Sequence, residues 1–331
     1  GHTVVNEFGK FALHLLPSGI FRKGVVNILG NGVALDCESL WTEMSDVMDQ
    51  GVAITPENLK ISDRASLLLP WHRDLDSLEE ARLADKKYGS TKQGIAPFYS
   101  DKYQKKTIMA GELLYPEKLW DHLAGILEWK NLTLERVYGA KPYTMDDLKA
   151  WVAEFGEKIK PFICDTGAFL RKANKEGKSI LFEAQLGSLR DLDYGIYPMT
   201  TSSNPIAAYA PVGSGYPEAK IEKVVGVVKA YSSCVGEGPF TCEWFGEEAE
   251  KLRDAGAEYG AKTGRPRRVG PIDIVATRYG VQCQGATDIA LTKLDVLSYL
   301  DEIPICARYE LQGQLTDEFP FPAVLPEAKP V

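Results

Sequence analysis

Apolar and polar positions in the first thirty-five residues alternate in short runs, a period of two that predicts strands. "HTVV", "FALHLL", "VVNILG" and "VALD" read this way, separated by the turn signals "NEFGK", "PSGI" and "GNG". The period changes at Cys37. Leu40, Trp41, Met44, Val47 and Met48 form one apolar stripe and predict an amphipathic helix over 37–50, stopped at Gly51. "LKIS" predicts a strand and "DSLEEARLADKK" a solvated helix. Residues 89–107, "GSTKQGIAPFYSDKYQKKT", follow neither period and predict a long functional loop. Leu119, Trp120, Leu123, Ile126 and Leu127 predict a helix, and Thr144 with Asp147 a capping-box start to the next. Further on, "SILFEAQ" predicts a buried strand, "VVGVVKAYSS" another, and "EEAEKLRDAG" and "IDIVATRYGVQ" helices. "DIALTKLD" predicts a strand with its exit loop and "PICARYEL" a last strand. Strands alternating with helices predict an α/β fold, with a central, mostly parallel sheet covered by helices on both faces. A single domain over 1–331 with a helical insertion around 112–176 accommodates them all.

Composition changes this picture little. The chain of 331 residues is 44% hydrophobic and 25% charged, as globular proteins are. Its formal charge of −8 argues against nucleic acid or an anionic membrane as a partner. The six cysteines show no CxxC and no metal-ligand spacing, which predicts free thiols in a reducing, cytoplasmic setting. No signal peptide and no apolar run long enough to span a bilayer are visible.

Charge matters locally. "GAKTGRPRRVGPID" packs Lys262, Arg265, Arg267 and Arg268 together without a carboxylate among them, which points to a small anionic ligand. "TKLD" at 292–295 follows an apolar strand. There Asp295 can accept from a guanine ring N–H and amine while Lys293 packs over the ring. Thr200, Thr201, Ser202 and Ser203 offer hydroxyl donors to phosphate oxygens, and the glycines of "VGEGPF" allow backbone to approach a flat ligand. Each stretch alone is equally a surface ion pair, a turn or a solvated loop. Of the four histidines, His14 and His122 read as structural, and His72 as the brace of a helix start.

In order, "GHTV", "PSGI", "GNGV", "GIYP" with "TSSN", "KAYSS" with "VGEGPF", "KTGRPRR" and "TKLDVL" resemble adenylosuccinate synthetase across essentially the whole chain. The resemblance implies that family's P-loop-GTPase-like fold and a homodimer. It also implies a GTP-dependent, Mg²⁺-assisted ligation of IMP and L-aspartate to adenylosuccinate through a 6-phosphoryl-IMP intermediate. Carried over by position, His2 is the catalytic histidine and Gly1 a Mg²⁺ ligand. Gly1, His2, Thr3, Arg267, Lys293, Leu294 and Asp295 face GTP. Thr91, Lys105, Gln185 or Leu186, Thr201 and Arg265 face IMP. Ala261, Lys262, Thr263, Gly264, Arg265 and Arg267 face aspartate.

The chain departs from the family pattern in places. "STKQGIAPFY" stands where "TTGRGIGPAY" is usual, and Lys105 where an arginine reaches the IMP phosphate of the neighbouring subunit. Leu186 falls on the usual glutamine with Gln185 one place early, and Lys262 replaces a hydroxyl. The family's Gly-rich phosphate loop precedes "GHTV", and its closing guanine-side segment is likewise not among these residues. The expectation is a portion of a longer enzyme, incomplete at both ends and inactive alone. The alternative is a non-catalytic nucleotide-binding relative.

Overall fold

The structure, a computed structural model, describes residues 2–260 and 264–331. Its packing divides into two compact units, residues 1–183 with 210–219 and residues 184–209 with 220–331.

In the first unit, β1 (His2–Asn6) and β2 (Gly9–Leu13) form an antiparallel hairpin that pairs His2 with Leu13. β3 (Asn27–Leu29) and β4 (Ala34–Leu35) follow. The stripe predicted over 37–50 is then α1 (Cys37–Asp49), with Cys37, Leu40, Met44 and Val47 buried. Asp36 accepts from the Ser39 amide at 3.1 Å and caps it, a bond of the kind that contributes about 1 kcal/mol. Glu43 faces inward too, and accepts from the amides of His14 (2.8 Å), Leu15 (3.0 Å) and Leu16 (3.1 Å). One buried carboxylate thus fixes the chain leaving β2.

β5 (Leu59–Ser62) pairs in parallel with β3, and β6 (Ser66–Leu67) with β4. α2 (Pro70–Leu83) begins six residues before the predicted "DSLEEARLADKK" and is not solvated all round. Its Asp76 and Glu80 are buried. The loop predicted over 89–107 contains a helix, α3 (Ile95–Gln104). The sequence hides it because Pro97 sits in the first turn and the buried face is only Phe98 and Asp101. Gly94 precedes α3 at φ +80°, and a Cβ there would lie 2.7 Å from the His72 carbonyl carbon, so the close approach of α3 to α2 needs glycine.

The helical stretch expected at 112–176 lies wholly within this unit. It comprises α4 (Pro116–Tyr138), α5 (Met145–Trp151), α6 (Glu157–Ile159), β7 (Ile163–Cys164) and α7 (Thr166–Lys175). Thr144 and Asp147 form the expected capping box on α5. β7 joins β5 in parallel, and α8 (Ala210–Ser214) completes the unit. "SILFEAQ" is not a strand. Leu181 is 89% exposed and the segment has no ladder partner among the described residues, so an apolar run without a strand to pair with stays irregular.

In the second unit, β8 (Val225–Lys229) leads to β9 (Tyr231–Cys234), α9 (Gly246–Gly256), β10 (Arg268–Asp273), α10 (Ile274–Gln284) and β11 (Asp288–Thr292). β11 pairs in parallel with β8, β10 in parallel with β12 (Ile305–Cys306), and β9 antiparallel with β10. The expected last strand is split into β12 and β13 (Tyr309–Leu311). β13 pairs antiparallel with β14 (Gln314–Thr316) and β15 (Lys329–Pro330). The α/β class and the parallel pairing match expectation, although the ladders of the described residues fall into several short sheets.

Candidate functional site

The expected residues fall in both units. In the first, His2 opens β1 and Thr3 follows, exposed and paired with Ala12. Both His2 ring nitrogens are buried without a hydrogen-bond partner among the described residues. The nearest carboxylate is Glu183, 3.7 Å from Nε2 and itself held by the Ser18 hydroxyl at 2.7 Å. A buried imidazole without partners is costly, and a ligand group would satisfy it. Glu183 was not singled out in the sequence, nor was the cleft of about 390 Å³ at the carboxyl edge of β3, β5 and β7, lined by Asn31, Asp63, Arg64, Asp165 and Arg171.

Thr91 is exposed at the tip of a loop that α2 grips from below. Glu80 accepts from the amides of Tyr88, Gly89 and Ser90, each at 3.1 Å. Asp76 accepts from the Ser90 hydroxyl at 2.7 Å and the Gly94 amide at 2.8 Å. Lys105 ends α3 in the left-handed conformation at φ +61°, its side chain exposed. Behind α3, Asp101 accepts from His72 Nε2 at 2.8 Å and pairs with Lys130 of α4, all three side chains buried. His72 Nδ1 accepts from the Leu69 amide at 2.8 Å, which braces the start of α2 as expected. Burial holds the His72 pKa below its ordinary value, against the raising effect of Asp101.

In the second unit, the parallel pair β8 and β11 ends in register at Lys229 and Thr292, the kind of strand edge where α/β proteins bind ligands. Lys293 follows at φ +62°, reaching the Gly256 carbonyl at 3.5 Å, and Leu294 and Asp295 are exposed beside it. Next to them Glu258, 2% exposed, accepts from Lys229 at 2.6 Å, the Tyr231 hydroxyl at 2.5 Å and Arg267 Nη1 at 3.0 Å. Burial alone would raise the Glu258 pKa. Hydrogen bonds from Lys229 and Tyr231, with the charges of Lys229 and Arg267, outweigh it and hold the carboxyl below its usual range. Burial lowers the pKa of Lys229 despite Glu258, and Arg267 and Lys293 push the same way, so these three cations share one neighbourhood.

The basic island is not uncompensated, as its own sequence suggested. Its described guanidinium groups face carboxylates from elsewhere in the chain. Arg265 lies 3.4 Å from Glu237, Arg267 3.0 Å from Glu258, and Arg268 2.5 Å from Glu243. Arg268 also donates to the Gly238 carbonyl at 2.7 Å, which makes it a strut of the "VGEGPF" loop. Arg190 does similar work, reaching the Val235 carbonyl at 2.9 Å and the Met199 carbonyl at 2.5 Å. Thr201 is half-buried and its amide donates to the Arg190 carbonyl at 2.9 Å. Gln185 and Leu186 are both exposed, with Leu186 at φ +91°, a strained conformation for a side chain of its size. Gly264 is at φ +62°. Gly1, Ala261, Lys262 and Thr263 lie outside the described residues.

The adenylosuccinate synthetase family profile matches residues 1–331. The chain belongs to the adenylosuccinate synthetase family. Adenylosuccinate synthetase of a Geobacillus species is 42% identical over 332 residues, covering 100% of this chain and 77% of the relative. That of Halothermothrix orenii is 44% identical over 320 residues, covering 97% of this chain and 74% of the relative. The fully ligated adenylosuccinate synthetase of Plasmodium falciparum superposes with a TM-score of 0.91 at 32% identity, over 100% of this chain and 78% of its own. A cyanophage succinoaminodeoxyadenylate synthetase, bound to dGMP and dATP, shares the fold with a TM-score of 0.57 at 20% identity, over 98% of this chain and 86% of its own. The family's activity is a C–N bond-forming ligation in AMP biosynthesis that joins IMP and L-aspartate at the expense of GTP.

Proposed function

We propose that the residues carried over by position perform this ligation here. In this reading His2 hydrogen-bonds the purine 6-oxygen and the phosphoryl group transferred to it. Thr91, Lys105, Thr201 and Gln185 or Leu186 hold IMP. The loop from Ala261 to Arg267 holds aspartate, with Arg265 also near IMP, and Thr3, Arg267 and the 293–295 segment hold GTP. The chemistry is reasonable: phosphorylation turns a poor oxo leaving group into phosphate, and fixed cations stabilise the charge that develops.

The observation that carries the reading is the meeting of Lys229 and Arg267 on the buried Glu258 at the paired ends of β8 and β11, with Lys293 directly after β11 and reaching the Gly256 carbonyl. Cations gathered round one buried carboxylate leave net positive charge for a polyphosphate, with Asp295 beside them for the base. In a nucleotide competition assay, Asp295→Ala should lose discrimination of GTP against ATP. Retention of full discrimination would remove Asp295 from the guanine site.

Mg²⁺ accompanies the nucleotide in this proposal. No group of three or more His, Cys, Asp or Glu side chains among the described residues is placed to hold a metal ion. Mg²⁺ commonly takes only one or two protein ligands beside phosphate oxygens and water, so the nucleotide itself would hold most of the ion. We also propose a cytoplasmic homodimer in which Lys105 serves the IMP phosphate of the neighbouring subunit, with no nucleic acid or membrane as partner. No helix among the described residues is long and apolar enough to cross a membrane.

A further inference from the structure

We infer that Glu258 is a positioning residue of the reaction, which fixes the base of the substrate loop and sets the Arg267 guanidinium at the edge of the nucleotide site. The inference rests on the assignment of Arg267 to aspartate and GTP, and concerns a residue to which that assignment gives no role.

Glu258 fastens the loop through both main chain and side chain. Its carbonyl accepts from the Arg267 amide at 2.9 Å while its carboxylate takes Arg267 Nη1 at 3.0 Å. Its own amide donates to the Arg253 carbonyl at 2.8 Å, which ties the loop base to the end of α9. One residue further in, Tyr259 and Pro266 form an antiparallel bridge, and the Gly260 amide reaches the Arg265 carbonyl at 2.9 Å. The neck of the loop is therefore closed by backbone pairing, and Glu258 adds to it a carboxylate bond to Arg267 on the opposite side.

The same carboxylate joins this neck to the strand edge. Lys229 comes from the end of β8 and Tyr231 from the start of β9, so one buried anion locks the nucleotide edge and the loop together. Two bonded cations against one carboxylate leave an excess positive charge. Arg267 Nε is buried without a hydrogen-bond partner among the described residues. The guanidinium is thus oriented by Glu258 on one side and still short of an acceptor, a state that an anionic substrate completes.

Steady-state kinetics of the full-length enzyme with each substrate varied in turn tests this. Glu258→Gln keeps the shape but loses the charge. Loss of a charged hydrogen bond should raise KM for aspartate and GTP about tenfold or more while leaving KM for IMP within about threefold. Tyr231→Phe removes another donor to the same carboxylate without touching Arg267, and should leave all three values near the parent's. If Glu258→Gln does not fold, Glu258→Asp withdraws the carboxylate by one methylene and should show the same split. Arg267→Ala separates the two levels of the argument. Unchanged aspartate and GTP constants in Arg267→Ala overturn the site assignment and this inference with it. A rise in Arg267→Ala without one in Glu258→Gln, or equal rises in Glu258→Gln and Tyr231→Phe, overturns the inference alone.

Discussion

A buried imidazole that already accepts a backbone hydrogen bond has no place for a second proton. His72 Nδ1 receives the Leu69 amide, so its proton resides on Nε2 toward Asp101, with Lys130 of α4 on the far side and Asp36 nearby. Its folded pKa is therefore depressed. Between that value and the unfolded one of about 6.5, the unfolded chain binds the extra proton, and stability rises with pH. His72 should contribute its full stabilisation above about pH 6.5 and lose it as the pH falls through the folded value. NMR should find the His72 ring untitrated where an exposed histidine is half-protonated, and normal titration near 6.5 would contradict the geometry. Lys105 offers a second residue-level test, because its left-handed backbone suits glycine. Lys105→Gly should preserve or slightly improve stability while weakening IMP binding about tenfold, more than it weakens GTP binding. Equal losses for both ligands would count against the phosphate role.

Among the elements, α2 does most to present the expected IMP loop. Glu80 holds three successive amides of that loop, so Glu80→Gln should cost about 1–3 kcal/mol in thermal or denaturant unfolding and speed hydrogen exchange across residues 88–94. Unchanged exchange would show that the loop holds itself. The elements legible in the sequence were those whose order is local. The apolar stripe of α1, the Thr144–Asp147 cap of α5 and the runs behind β8 and β11 each carry their own period or cap. What escaped was specified by distant partners. α3 is recognisable only once Asp101 meets His72 and Lys130, and "SILFEAQ" looks like a strand until no strand is found beside it. The candidate site divides likewise. "TKLD" and the basic island stood out by composition, whereas the carboxylates that hold the island's arginines come from as far as 28 positions before the arginine they pair with. Proximity in space, unlike a motif, leaves no mark in spacing.

At the scale of the whole molecule, each unit has its own apolar interior. Leu16, Leu35, Leu40, Leu59 and Trp71 belong to the first, and Val275, Tyr309 and Leu325 to the second. These interiors rely on burial rather than covalent links, since all six cysteines carry free thiols. Reductant should accordingly leave the melting temperature where it was, whereas reducing a native disulfide typically costs about 2–5 kcal/mol. A drop in the melting temperature with dithiothreitol would reveal a cross-link between or within chains.

The placement of His2 has a dependence that lies outside its own hairpin. The chain leaving β2 is tied down by Glu43, and Glu43 points inward only because of its phase on α1. Inserting one residue between Cys37 and Glu43 would turn that carboxylate by about 100° around the helix axis. Three amides would then lose their acceptor, and the strand that begins with His2 would come adrift from the scaffold without any change to its own letters. Any transplant of this hairpin into another protein has to bring the helix with it.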